Sequence, residues 1–159
     1  MPHLAAQPAP APRYQIHRYP TALIATRWLG CLGQLTLRPV LPQDVQPLTE
    51  LVSRLSPGAR RNRFHGAMTL SASHLLQMCC VDHINHLALV VTATVQGEEQ
   101  LIADARYCLD DDGEGAEFAL LVDESWQRHG IGGWALRTLQ RGAAQAGLRW
   151  LQGDVLHDN

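Results

Sequence analysis

Ala116-Glu117-Phe118-Ala119-Leu120-Leu121-Val122, then Asp123-Glu124-Ser125-Trp126, then Gln127-Arg128-His129-Gly130-Ile131-Gly132-Gly133, is the stretch whose reading decides the fold. It reads as a strand, a short loop and a glycine-rich turn that opens a helix. Such a turn offers backbone N–H groups and the positive end of a helix dipole to a phosphate-bearing ligand. Glu117 lies within the strand that leads to it. A phosphate cradle and a candidate general base therefore come from one segment, as expected of an enzyme that uses a pyrophosphate-containing cofactor.

Downstream, residues 130–146 carry Ile131, Ala135, Thr138, Leu139 and Ala143 on one helical stripe, and Gly147 ends the helix. Residues 149–155 read as a strand. Upstream, residues 87–95 are rich in Leu and Val and read as a central strand. Gly97-Glu98-Glu99 turns the chain into an antiparallel neighbour over 100–107. The acidic run from Asp110 to Gly115 reads as a solvated hairpin loop. A calcium loop would want an acidic residue where Leu121 stands. Further back, Leu35 and Leu37 mark a strand that stops at Pro39. Asp44 is placed to cap a helix over 45–55, with Val45, Leu48, Val52 and Leu55 on one face and Pro47 in its first turn. Ser56-Pro57-Gly58 ends that helix. Ser71 is placed to cap another, carrying Leu75, Leu76, Met78 and Cys79. The order β-α-α-β-β-β-α-β implies an α+β fold: a mixed, mostly antiparallel sheet flanked by helices.

The 159 residues fit one domain with a tail, and 46% apolar content supplies one core. Residues 1–12 are Pro- and Ala-rich and read as a disordered tail. Residues 13–34 read as a docking segment, with Tyr19, Leu23 and Trp28 expected to pack on the domain. Residues 35–159 form the domain itself. The net charge of −2 gives no support for nucleic-acid binding, and Arg60, Arg61 and Arg63 read as a solvated loop. No apolar run reaches membrane-spanning length, and no signal peptide is recognisable at the N-terminus. The cysteines at 31, 79, 80 and 108 fit neither a zinc pattern nor a disulfide framework. Free thiols in a cytoplasmic protein are the expectation. His83 and His86, with Asp82, lack a recognised ligand spacing, so no metal is expected.

Three readings of the glycine turn compete. Gly130, Gly132 and Ala135 satisfy G-x-G-x-x-A, but a dinucleotide fold wants the first glycine directly after the strand. Here the seven residues Asp123–His129 intervene. A second reading is purely structural, with glycines permitting a tight turn and close helix–sheet contact. In the third, Gln127-Arg128-His129-Gly130-Ile131-Gly132 resembles the Q/R-x-x-G-x-G/A signature of the GCN5-related N-acetyltransferases (GNAT). Further segments resemble the Pat-like branch of bacterial protein lysine acetyltransferases. They are His17-Arg18-Tyr19-Pro20, Leu37-Arg38-Pro39-Val40 with Pro42-Gln43-Asp44, Leu55-Ser56-Pro57, Arg63-Phe64, Val81-Asp82-His83 and Ala116-Glu117-Phe118-Ala119. The resemblance runs from about residue 14 to residue 159.

This resemblance implies transfer of an acetyl group from acetyl-CoA to an amine, a protein lysine in that branch. It implies Glu117 as the catalytic base, while strand alternation leaves open an outward-facing glutamate. It implies that backbone groups at Leu121 and Val122 hold the thioester and pantetheine, beside a cleft opened by an irregularity in their strand. Gln127, Arg128, His129, Gly130, Ile131, Gly132 and Gly133 would hold the pyrophosphate, and Asn159 would touch pantetheine. Trp126 is either an adenine stack or a packed loop anchor. Burial among apolar neighbours is expected to raise the Glu117 carboxyl. GNAT domains usually continue with a further helix and two strands, so the C-terminal part reads as missing, with completion by another chain, as in a homo-oligomer, one way to supply it. A small-molecule amine acceptor, or a non-catalytic acyl-CoA-binding regulatory module, remains the alternative.

Overall fold

The computed structural model describes residues 18–64 and 70–153. Its elements run β1 (Ala25–Trp28), β2 (Gln34–Pro39), α1 (Val45–Arg54), α2 (Pro57–Phe64), α3 (Ala72–Cys79), β3 (His86–Val95), β4 (Glu98–Leu109), β5 (Gly115–Val122), α4 (Ile131–Gln145) and β6 (Trp150–Gln152). The six strands form one sheet in sequence order. Every neighbouring pair is antiparallel except β5 and β6, which run parallel. Parallel neighbours need a crossover, and α4 supplies it. The fold is the mixed α+β arrangement expected.

Alternation along the strands sorts side chains onto two faces. One face buries Leu35, Leu37, Leu89, Tyr107 and Ala105 against Ile131, Ala135, Leu139 and Ala143 of α4. The other buries Ala88, Val90, Leu101 and Leu121 against Leu48, Leu51 and Val52 of α1 and Leu75 and Cys79 of α3. A fully buried leucine or isoleucine here contributes about 1.5–3 kcal/mol through lost contact with water.

The structure departs from the sequence reading in several places. It adds the edge strand β1 and the helix α2. Helix α1 ends at Arg54, just before Ser56-Pro57-Gly58 as expected, and Ser56 and Pro57 also start α2: the Ser56 hydroxyl accepts from the Ala59 N–H at 3.2 Å, and Pro57 stands where a missing N–H costs nothing. The arginine cluster is therefore helical, and Arg63 is turned inward rather than solvated. Asp44 does not cap α1 through its side chain. Its buried carboxylate accepts two bonds from Arg38, at 2.7 and 2.8 Å, and one from the Leu41 N–H at 2.7 Å. Ser71 does cap α3, its hydroxyl accepting from the His74 N–H at 3.3 Å. Leu23 is in the core, and the Tyr19 hydroxyl donates to the Pro39 carbonyl at 2.7 Å. Trp28, expected to dock, is 71% exposed, because β1 is an edge strand with a single ladder neighbour. The proposed tail, together with Tyr14 and Ile16, lies outside the described residues, as do Asn159 and the end of the strand expected over 149–155. Among the described residues no helix is long and apolar enough to cross a membrane.

Candidate active site

The glycine turn sits where β5 hands over to α4. Asp123 starts the connecting loop as a buried carboxylate. It accepts from the Ser125 N–H at 3.0 Å, the Ser125 hydroxyl at 2.7 Å and the Arg54 guanidinium at 2.8 Å. Burial alone would raise its pKa, but these donors hold it below the ordinary carboxylate value. The loop is thus clamped to α1. Trp126 packs against the α4-side core as a loop anchor. Gln127 donates its side-chain amide to the Val122 carbonyl at 3.2 Å and braces the turn.

Arg128 and Gly130 both have left-handed backbone, at φ 66° and 75°. Gly130 is the N-cap of α4, and no side chain caps that helix. The first N–H groups of any helix lack intrahelical partners. Here they belong to Ile131, Gly132 and Gly133, in line with the exposed Arg128 and His129. A Cβ on Gly132 would stand 3.4 Å from Leu120 Cδ2 and 3.4 Å from Val122 Cγ2. Gly132 therefore faces the sheet, and its missing side chain lets α4 approach β5. The structural reading of that glycine and the phosphate reading of its N–H hold together.

The strand irregularity expected to open a cleft beside β5 is not found. The β4–β5 ladder is unbroken from Leu109–Ala116 to Ala103–Val122, so β5 carries no bulge. Among the described residues β6 pairs with β5 only through Gly115, Ala116 and Glu117. Phe118–Val122 pair, among the described residues, with β4 alone. The Asp123 N–H bonds to the Ile102 carbonyl at 2.8 Å. Antiparallel alternation then turns the Leu121 N–H toward β4 and the N–H groups of Leu120 and Val122 away from it. The sequence reading assigned Leu121 and Val122 and missed Leu120; the signal was the two-residue period, which pairs Val122 with Leu120 rather than with its neighbour.

Glu117 pairs with Cys108 of β4, which pairs with His86 of β3. These three side chains form one row on the face covered by α1–α3. Glu117 and Cys108 are exposed, while His86 is half-buried. The burial expected for Glu117 is not found. The helices cover the Leu121 end of this face, and Glu117 lies four residues away, beyond them. Burial, aided by the Arg106 guanidinium, pushes the His86 imidazole down to about 4. Among the described residues no three His, Cys, Asp or Glu side chains are grouped to hold a metal ion.

A glycine-bearing helix start with no side-chain cap thus follows a strand whose second half pairs, among the described residues, with β4 alone. The chain matches the model of the acetyltransferase (GNAT) family over residues 57–159 and belongs to that family. The acetyltransferase Pat of Mycolicibacterium smegmatis is 31% identical to it over 124 residues, which cover 77% of this chain and 37% of that protein. The chain thus spans well under half the length of that curated relative. The crystal structure of the GNAT domain of S. lividans PAT superposes with a TM-score of 0.78 at 25% identity, covering 89% of this chain and 84% of that one. A cAMP-binding acyltransferase from Mycobacterium smegmatis gives a TM-score of 0.57 at 27% identity, covering 87% of this chain and 40% of that one.

Proposed function

We propose that this chain carries an acyl-CoA-dependent N-acetyltransferase site that moves an acetyl group from acetyl-CoA to an amine, specifically a protein lysine ε-amine. The observation that carries the reading is the start of α4 at Gly130, with no side-chain cap, directly after β5, with Glu117 at the far end of that strand. The N–H groups of Ile131, Gly132 and Gly133, with Arg128, hold the pyrophosphate. Gln127 keeps the turn fixed to Val122. The N–H groups of Leu120 and Val122, which point away from β4, face the pantetheine arm. Acetyl-CoA supplies a thioester whose carbonyl carbon is open to attack and whose thiolate can leave.

Glu117 then has one task. An amine attacks the carbonyl as its free base, and the N–H proton that the new amide sheds passes to the Glu117 carboxylate directly or through water. Exposure suits a base that must return its proton to solvent after each turnover. The lysine acceptor is supported by the similarity to Pat and to the GNAT domain of S. lividans PAT.

Calorimetry of the chain with acetyl-CoA, propionyl-CoA and NAD tests the cofactor. Saturable binding of the acyl-CoA esters and none of NAD is expected. Saturable NAD binding with no heat from either ester overturns the reading.

A further inference from the structure

Asp104 is fully buried in the middle of β4, and two guanidiniums share it. Arg106 donates through Nε at 3.0 Å to one carboxylate oxygen and through Nη2 to the other. Arg63, arriving from α2, donates through Nη2 at 3.3 Å. Arg106 also donates through Nη1 to the Met78 carbonyl of α3 at 2.9 Å. Burial opposes the Asp104 charge, but the two arginines hold its carboxyl below the ordinary value. The cluster therefore keeps one positive charge in excess. Helix α2 carries no acidic residue, so nothing on it neutralises that excess.

The register fixes where this charge lies. Arg106 pairs with Ala119, two residues from Glu117, and with Ala88, two residues from His86. Cross-strand diagonal neighbours stand about 7–8 Å apart. A buried charge at that range is poorly screened by salt. His86, in the Glu117 row, is disfavoured as a cation by burial and then by Arg106, with Asp104 and Asp82 opposing.

We propose that Arg106, held by Asp104 and backed by Arg63, is an electrostatic positioning residue of the acceptor site that disfavours a protonated amine in front of Glu117, so that the lysine enters as its free base. The proposal rests on the reading of the Glu117 row as the amine site. The ammonium proton goes to solvent before attack, and Glu117 handles the proton released afterwards. The other groups that bear on this row are few. Cys108 shares it from β4. Asp82 and His83 approach from the α3–β3 loop, Asp82 opposing Arg106 and His83 reinforcing it. Cys79 of α3 lies near Arg106 but is pushed up to about 12 by burial and stays a neutral thiol. From α2 only Arg63 reaches the cluster through a hydrogen bond, and among the described residues β6 brings no charged side chain.

Arg106→Met leaves the Arg63–Asp104 pair neutral, and Arg106→Lys keeps the charge. Two readouts separate this idea from the acetyltransferase reading. The first is the His86 titration by NMR, which needs no activity. It should move up by roughly one pH unit in Arg106→Met and stay near the parent value in Arg106→Lys. The second is kcat against pH at saturating acetyl-CoA and Nα-acetylated lysine peptide. Its ascending limb should shift up by about the same amount in Arg106→Met, so that the loss is roughly tenfold at pH 7 and narrows as the pH passes the pKa of the bound amine. Unmoved titration and a loss equal at all pH values overturn the proposal. If the parent transfers no acetyl group, the acetyltransferase reading fails while the His86 titration still decides the field. If Arg106→Met does not fold, Arg63→Met removes the same net charge from the α2 side. Superimposable profiles for that folded variant count equally against the idea.

Discussion

The face of the sheet beneath α4 and the face beneath α1–α3 bury different things. Under α4 the contacts are apolar and close. Ile131, Ala135, Leu139 and Ala143 lie on leucines and alanines, and a Cβ on Gly142 would come within 2.6 Å of Leu87. Under α1–α3 an apolar cluster surrounds the Asp104, Arg106 and Arg63 charges, and a second ion pair, Arg38–Asp44, lies nearby. Apolar residues of similar volume often replace buried ion pairs without loss of stability. Stability alone therefore gives little reason to keep such groups. The difference suggests a division of labour. On the proposed reading, the α4 face sets the height of the glycine turn above β5, and the opposite face tunes the surroundings of the amine.

The hardest test of that division is Glu117→Gln. The amide is nearly isosteric but cannot take a proton. Turnover with a lysine-bearing protein should fall about 100- to 10,000-fold, within the usual worth of a general base. Acetyl-CoA affinity should hold, because the turn lies at the other end of β5. Turnover near the parent value across pH would remove Glu117 as the base and dissolve the functional contrast between the faces.

On the other side, Leu139→Ala should cost about 2–5 kcal/mol of unfolding free energy, the usual range for a leucine with no exposure whose removal leaves a cavity. Urea denaturation measures it. The loss should leave the pH dependence of acetyl transfer in place. A shifted pH profile would mean that the two faces are coupled through the sheet.

How far the sequence discloses this molecule follows the same contrast. The α4 face is legible: its helix shows a clean stripe at Ile131, Ala135, Leu139 and Ala143, and β3–β5 alternate or run apolar as buried strands do. Helix α2 was missed because none of its residues is fully buried; the partly buried Ala59 and Phe64 and a set of polar contacts hold it. Strand β1 was missed because Ala25–Trp28 is short and exposed on an edge. At the site, the backbone turn was readable from Gln127 to Gly133, since glycine spacing dictates conformation. The burial state of Glu117 was not, because alternation assigns a face and says nothing of where the covering helices stop. The Asp104–Arg106 pair was hidden for a related reason. Charges two apart on a strand share a face, but only the tertiary fold shows that α3 and Arg63 close over them.

The smallest expected effect concerns acid. His86 is pushed down to about 4, chiefly by burial and then by Arg106. In the unfolded chain it takes a proton near pH 6.5. Between these values the unfolded state binds the proton and the folded state does not. The stability contributed by neutral His86 is thus fully present above about pH 6.5 and drains away as the pH falls toward 4. A shift of this size corresponds to about 3 kcal/mol, and the partial exposure of the ring argues for about 2. His83, lowered by burial, adds in the same direction. The lowered carboxyls of Asp82, Asp104 and Asp123 act in a separate window, because they lose stability only as the pH drops through folded values below 3.8. Urea unfolding at pH 7.5 and 4.5 should therefore show a decline in the parent that is mostly absent in His86→Phe. If the phenylalanine variant declines by as much as the parent, the imidazole is not held neutral in the fold. The charged character assigned to the α1–α3 face at the Glu117 row would then have to be given up.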